Sequence, residues 1–501
     1  MRYVGQDLFY DRIALGIACL CAAPVVFGVA IVLVVFPPLL PVLFAGLVYA
    51  ALCLHRPLIG FFLAMVFQVF DQLLILVPYS RSGDASFINS LTVPKLMFGT
   101  LVVMLIPRVL FTRDEEPLRG LRSQALFIQL ASLFVLTSLP GVVYSGINGA
   151  VILSLSRLVN CVALSLAVLA LIQSFRSLCG VFATLVPAFV ITGMMGTYEV
   201  VTQTYILDLL DRPIPEDFEM SALAGQFRVL GPSGDAVYYA VSLLFAITAV
   251  LVVIQMSRRK LLLVACLACL GLFTVSMLST ASRGGILGCA ALGIVFFGLA
   301  KIRHKWMLVG ATAAFCVVSL LIYTLTISQL PLARFLGRGG ADEGTNNRLG
   351  FWTQCIHMVE DSPVLGVGLG QFSQLQINHY FDSRTPQRKY LPHNVYLQIP
   401  AESGPLALLI YLGLLAACAL PLLGAVVQTR DVQKRNVGAA VLGGVVGLAT
   451  FASNTNLRDN ELVWLMFALS VVAARVCRDT GADTISSPVP AFSSRPIATL
   501  S

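Results

Sequence analysis

One histidine and four arginines have the types and placement to do chemistry. Phe227-Arg228-Val229-Leu230-Gly231-Pro232 closes a polar stretch just before an apolar run. Ser282-Arg283-Gly284-Gly285 puts a cation at a turn between two apolar runs. Arg348 opens a segment that ends in Asp361-Ser362-Pro363-Val364-Leu365-Gly366-Val367-Gly368-Leu369-Gly370. Pro392-His393-Asn394 begins another apolar run, with Glu402-Ser403-Gly404 about two helical turns further on. Arg157 lies inside an apolar run of its own. A guanidinium presents a planar fork that pairs two phosphate oxygens and keeps its proton. Arg228 and Arg283 are therefore candidates for holding a phosphate or diphosphate. Gly284 and Gly285 let the main chain come close to such an anion at a helix start. An unperturbed imidazole titrates near a pKa of about 6.5, and a helix N-terminus disfavours its cation. His393 is thus the candidate general base. The other histidines sit in basic loops (His55, His304), on an amphipathic segment (His357) or in a polar loop (His379).

The elements that must position these residues are membrane helices. Of 501 residues, 57% are hydrophobic and only 12% charged, about half the charged share of a soluble domain. The mean hydropathy is +0.86. An ordinary soluble enzyme, a disordered chain and a disulfide scaffold are excluded. The apolar runs are too long for barrel strands and long enough for helical spans of about 20 residues. Fourteen runs read as spans: 13–36, 38–54, 58–77, 95–111, 125–143, 150–172, 178–201, 236–256, 261–280, 284–300, 307–327, 394–427, 437–453 and 461–476. The first reads as a retained helix rather than a cleaved signal. Cys266 and Cys269 form a CxxC inside a span and read as small apolar residues, not as a redox or metal pair.

Charge sets the expected orientation. Basic residues cluster in alternate loops: Arg56; Arg108, Arg113, Arg119 and Arg122; Arg176; Arg258, Arg259 and Lys260; Lys301, Arg303 and Lys305; Arg430, Lys434 and Arg435. The positive-inside rule places those loops in the cytoplasm. Both termini are then inside, and the segments 202–235 and 328–393 outside. Within the second, Leu349, Trp352, Ile356 and Val359 recur at helical spacing. This predicts an amphipathic helix capped by Asn346 or Asn347 and ended by Ser362-Pro363.

Ionisable groups inside spans are costly and mark function. Asp71, Arg157, Glu199, Arg283 and Glu402 all fall in the outer half of their spans or at an outer turn. A proton-coupled or ion-coupled carrier keeps such groups near the midplane. A site worked from the outer leaflet fits better.

The order and spacing of these motifs resemble the O-antigen ligase/polymerase superfamily of bacterial membrane glycosyltransferases. The resemblance rests on Arg283-Gly284-Gly285 after a span, Arg348 ahead of the Pro363 to Gly370 run, and His393-Asn394 with Glu402-Ser403-Gly404 downstream, within residues 225–415. Gly231-Pro232-Ser233-Gly234-Asp235 stands where family members often carry an Asn-containing stretch. The resemblance implies a GT-C-like fold and transfer of a glycan from a polyprenyl-diphosphate carrier to an acceptor hydroxyl. The acceptor would be lipid A core (a ligase) or a growing glycan (a polymerase). It implies His393 as catalytic residue and Arg228, Arg283, Arg348, Asn394 and Glu402 as substrate-binding residues, with Asn394 orienting the ring or a sugar and Glu402 also holding an arginine in place. Arg157, a cation inside its own span, is a further substrate-binding candidate.

The expected protein is an all-α polytopic integral membrane protein of about 12–14 transmembrane helices, with a long outer loop carrying an amphipathic helix. Its parts are an amino-terminal bundle (1–201), a motif-bearing region (202–427), carboxy-terminal helices (428–476) and a disordered tail (477–501). It is expected in the bacterial inner membrane, with its site facing the periplasm or exterior, and without nucleic acid. No cofactor is expected. Asp217 and Glu219 have the spacing of an acidic pair, but a hard cation needs more oxygen ligands, so no metal is expected either. The rival class is a polysaccharide-related lipid flippase or transporter.

Overall fold

The computed structural model describes residues 40–74, 92–111, 121, 124–146, 148–210, 227–256, 259–302, 341–380, 382 and 391–478. The spans expected at 13–36 and 307–327, the pair Asp217 and Glu219, and the tail from 479 lie outside these residues. The described residues form a helical bundle. Its helices are α1 (Leu40–His55), α2 (Pro57–Gln68), α3 (Val93–Phe111), α4 (Ala125–Ser138), α5 (Gly149–Leu171), α6 (Phe175–Thr202) and α7 (Ala236–Met256). There follow α8 (Lys260–Ser279), α9 (Arg283–Leu299), α10 (Ala341–Asp361), α11 (Phe372–Asn378), α12 (Val395–Gln428), α13 (Val432–Ala452) and α14 (Glu461–Arg478). Among the described residues, seven helices are long and apolar enough to cross a membrane. One hydrophobic core runs from Tyr49 to Val476 and joins helices from all three membrane segments of the sequence division.

Small residues let α9 and α13 approach backbone to backbone. Gly284 and Gly288 on α9, and Gly443 and Gly447 on α13, are each four apart, the spacing of a close-packed helix pair. A Cβ on Gly447 would stand 2.7 Å from the Gly288 carbonyl oxygen, and one on Gly443 2.9 Å from that of Leu292. The glycines after Arg283 serve this packing as well. A Cβ on Gly284 would meet Phe451 at 2.7 Å, and one on Gly285 would meet the Met277 sulfur at 2.8 Å. Both glycines are buried. This corrects the expectation that they let the main chain approach an anion: their missing side chains seat α9 against its neighbours and so fix Arg283.

α12 is the longest helix, with 34 residues. At 1.5 Å per residue it would reach about 51 Å, against a hydrocarbon core of about 30 Å. It is broken at Gly404, whose φ of 84° and ψ of 162° are non-helical, just before Pro405. Proline brings no N–H, so the Ala401 carbonyl loses its helical partner. The break is mended from outside the helix. Val367 N–H donates to the Ala401 oxygen at 2.8 Å, and Gly368 N–H to the Glu402 oxygen at 3.0 Å. The run from Gly366 to Gly370 is thus a splint on a broken membrane helix. Gly366, Gly368 and Gly370 all have positive φ, and a Cβ on Gly366 would collide with the α12 backbone.

The two ends of the bundle differ. At one end arginines cap helix carbonyls: Arg475 bonds Ile172 O at 2.7 Å and Arg435 bonds Leu299 O at 2.8 Å. The opposite end collects the 227–234 segment, the start of α9, α10, the Gly366 to Gly370 run and the start of α12.

The α9–α13 contact yields a direct test. Gly447→Leu is expected to lower the melting temperature of the purified protein by several degrees. Gly293→Leu, on α9 but with nothing within 4 Å of its Cβ position, is expected to leave it unchanged. Equal melting temperatures for the two variants would contradict the packing account.

Candidate active site

Two buried carboxylates carry the segments that hold the candidate residues. Glu199, fully buried near the end of α6, accepts from Ile206 N–H at 3.0 Å, Leu230 N–H at 2.8 Å and Gly231 N–H at 2.9 Å. On its other side the same segment lies along the end of α8. Val229 N–H donates to Ser279 O at 3.2 Å, and Arg228 Nε donates to Thr280 O at 3.1 Å. Phe227 stacks on Tyr205 with ring centroids 4.6 Å apart. Gly231, at φ 54°, sits against the Tyr239 ring, which leaves no room for a Cβ. Arg228 is therefore held by backbone pinned on both flanks.

Glu402 does the same for the other half. It is fully buried and forms an ion pair with Arg458, itself 2% exposed. Its carboxylate also accepts from Gly370 N–H at 3.0 Å and Phe372 N–H at 3.2 Å. With these three groups around it, the Glu402 carboxylate is enclosed by protein. Glu402 thus holds an arginine in place and anchors backbone, the positioning role expected of it beside substrate binding. The arginine it holds, Arg458, is absent from the sequence-based candidates. Its signal was a lone cation in the short loop 453–460, which the charge rule leaves otherwise free of Lys and Arg.

Helix α10 covers the site. It starts at Ala341, earlier than the Asn346 or Asn347 cap expected, and ends at Asp361 as expected. Its buried face is Phe351, Gln354, Cys355 and Met358, one position off the expected stripe, while Leu349 and Ile356 are exposed. The reason is the partner. Phe351, Cys355 and Met358 pack on Phe372 and Ala401, next to the splint. Trp352 and Val359 pack at the edge of the same cluster. Trp352 Nε1 donates to the Pro392 oxygen at 3.2 Å, and the Phe351 ring lies 6.4 Å from the His393 ring.

His393 is half-buried and left-handed, with φ 52°. That conformation is strained for a residue with a side chain, and such strain clusters at functional sites. Asn394 follows as the N-cap of α12, its side chain accepting from Tyr396 N–H at 3.0 Å. Its oxygen is engaged in that cap, and this turns the chain so that His393 stands at the helix start. Tyr396 hydroxyl ties the same turn to α13 through Ala449 O at 2.8 Å.

Around this ring the structure gathers cations. Burial first, then the charges of Arg348 and Arg228, push the His393 imidazole down to about 4. Burial and the neighbouring Arg283 lower Arg348 from its ordinary value. Arg348 Nη1 reaches Asn454 Oδ1 at 3.5 Å, and Asn454 lies beside Gly284 at the start of α9. Arg283 is the exposed first residue of that helix, with Ser282 capping it by accepting from Gly285 N–H at 3.2 Å. Arg228, Arg283 and Arg348, far apart in sequence, thus meet near His393. Arg157 does not join them. It is half-buried on α5, and its charged neighbours are Asp459, Glu461 and Asp71. Among the described residues no cluster of His, Cys, Asp and Glu has the geometry to hold a metal ion.

Such a bundle of apolar helices defines a multi-pass all-α membrane protein. Residues 267–412 match the family model described as O-antigen ligase. Over this stretch the chain is similar to the O-antigen ligase family. The stretch includes Arg283, Arg348, the splint, His393 and Glu402. No curated protein matches the chain.

The lowered His393 pKa has a signed consequence. An imidazole that must be neutral to accept a proton gives activity that rises with pH through its pKa. In the free protein that limb falls near pH 4. Arg348→Gln removes a repelling charge, so the limb in kcat/KM is expected to move upward, toward the ordinary 6.5. A limb that stays put or moves to lower pH in Arg348→Gln would contradict the arrangement.

Proposed function

We propose that the protein transfers a glycan from a polyprenyl-diphosphate carrier to an acceptor hydroxyl on the outer side of the bacterial inner membrane, in O-antigen or exopolysaccharide assembly. The observation that carries this reading is the meeting of Arg228, Arg283 and Arg348 around a neutral, strained His393. Arg348 and Arg228 next to the ring, with Arg283 next to Arg348, suit a ligand with several negative charges. A diphosphate has them, and arginine forks match its oxygens. The exposed apolar stripe of α10, with Leu349 and Ile356, suits a segment lying on the bilayer from which a lipid carrier arrives. The basic caps at the opposite end of the bundle agree with the charge rule that puts that end in the cytoplasm.

The reaction follows from these groups. The acceptor oxygen attacks the anomeric carbon while its proton passes to the His393 imidazole. The bond from that carbon to the diphosphate oxygen breaks. The charge growing on the leaving polyprenyl diphosphate falls on the arginine forks, which are fixed before the reaction begins. Attack opposite the leaving group inverts the anomeric centre. The bound diphosphate also offsets the arginine repulsion that keeps the imidazole acidic, so His393 becomes a better base only when donor is present. Its proton then leaves to solvent with the products. The acceptor is lipid A core for a ligase and another glycan for a polymerase.

Purified protein with labelled lipid-linked glycan tests this. Arg283→Lys keeps the charge and loses the fork, and transfer is expected to fall at least tenfold with the protein still folded. His393→Ala is expected to lose about 10²–10⁴-fold. His393→Gln, which can donate a hydrogen bond but is a very poor base, is expected to be as inactive as alanine. Substantial activity in His393→Gln would overturn the general-base role, and wild-type activity in Arg283→Lys would overturn the diphosphate clamp.

A further inference from the structure

A second polar cavity lies beside the arginine cluster. It has a volume of about 330 Å³ and is formed where the end of α2, the starts of α3, α7 and α14, and the side of α5 come together. That volume is within the range of about 300–1,000 Å³ of small-molecule sites. The motif segment joins the two places. Arg228 serves the His393 cluster, while Pro232, Ser233, Gly234 and Asp235 line the cavity. The chemistry of the two is opposite in sign. In the cavity the carboxylates of Asp71, Asp235, Asp459 and Glu461 outnumber the cations Lys95 and Arg157. Lys95 Nζ is 3.8 Å from Asp71, and Thr92 hydroxyl bonds the same carboxylate. Asp235 caps α7 by accepting from Val237 N–H at 2.6 Å and Tyr238 N–H at 3.1 Å. The excess carboxylate repels a phosphate. It also accepts hydroxyl and ammonium donors.

One buried atom points to an occupant. Gln68 lines the cavity, is 6% exposed, and its Oε1 has no hydrogen-bond partner among the described residues. A buried acceptor left without a donor costs about 1–3 kcal/mol, so an amide kept there calls for a donor from a ligand. Tyr238 adds a phenol to the wall and an aromatic face to pack on. We infer that this cavity is a binding subsite for a sugar ring that is neutral or carries an amino group. Hydroxyls of the ring donate to Gln68 Oε1 and to the cavity carboxylates, while Lys95 and Arg157 donate to ring and hydroxyl oxygens. The inference rests on the proposed glycosyl transfer. It adds that the cation-rich site takes the diphosphate and the carboxylate-rich cavity a sugar of either the donor glycan or the acceptor.

Ligand-detected NMR on the full-length protein in detergent tests this with glucose, galactose, mannose, N-acetylglucosamine and glucosamine, and with inorganic diphosphate alongside. At least one saccharide is expected to bind the wild type. Gln68→Leu, which removes an oxygen that has no partner, is expected to keep the wild-type melting temperature and to weaken that saccharide at least tenfold. Tyr238→Phe is expected to weaken it several-fold, and diphosphate binding is expected to be unchanged in both. In transfer assays a raised KM for the lipid-linked donor assigns the ring to the donor glycan, and a raised KM for the acceptor assigns it to the acceptor. Binding of no saccharide to the wild type, or equal binding in Gln68→Leu, would overturn the subsite. Saccharide binding without diphosphate binding would instead overturn the proposed clamp and leave the subsite standing.

Discussion

The Glu402 carboxylate holds the outer end of this molecule together. In apolar surroundings each polar backbone group and charge needs a partner inside the protein. Glu402 meets that demand for two segments at once, through Arg458 before α14 and through Gly370 N–H and Phe372 N–H. Next to it, the break at Gly404 and Pro405 frees carbonyls that the run from Gly366 to Gly370 satisfies. Breaking a buried ion pair from one side costs about 3–5 kcal/mol, so the joint resists opening. It fixes the start of α12, and with it the strained turn at His393. The same joint supports the face of α10 that reaches His393 through Phe351 and Trp352.

Glu199 repeats the device across the bundle. A carboxylate inside a membrane helix holds three backbone N–H groups and so fixes the segment that carries Arg228. The intramembrane carboxylates Glu199 and Glu402 are here anchors of backbone. In the cavity beyond the 232–235 turn, carboxylates predominate. The proposed diphosphate site and the proposed sugar subsite would then be two sites of opposite sign, joined by a single segment of chain.

Much of this was legible in the sequence. Apolar runs gave the helices, and Arg283, Arg348, His393 and Glu402 stood out because charged or titratable groups are rare in such a chain. What was hidden depends on contacts between distant segments. The buried face of α10 is one position off the Leu349, Trp352, Ile356 and Val359 stripe because Phe372 and Ala401 are its partners, and periodicity alone names no partner. Gly284 and Gly285 were legible as flexible backbone, but their packing depends on Phe451 of α13, far along the chain, and on Met277 of α8. Arg157 shares residue type and depth with the other arginines, yet its neighbours Asp459 and Glu461 come from the far end of the chain. Asn394 serves as a helix cap, a role that its place before Val395 allowed.

The central claim is that the arginines and His393 form one site whose charge a diphosphate completes. Its most direct test is the protonation of the His393 ring itself, followed by NMR of the protein labelled in histidine. His393→Gln assigns the signal among the five histidines. Without ligand the ring is expected to titrate near pH 4. With saturating inorganic diphosphate the titration is expected to move up toward 6.5, as the anion offsets Arg348 and Arg228. A ring that titrates near 6.5 without ligand and does not respond to diphosphate would contradict the account.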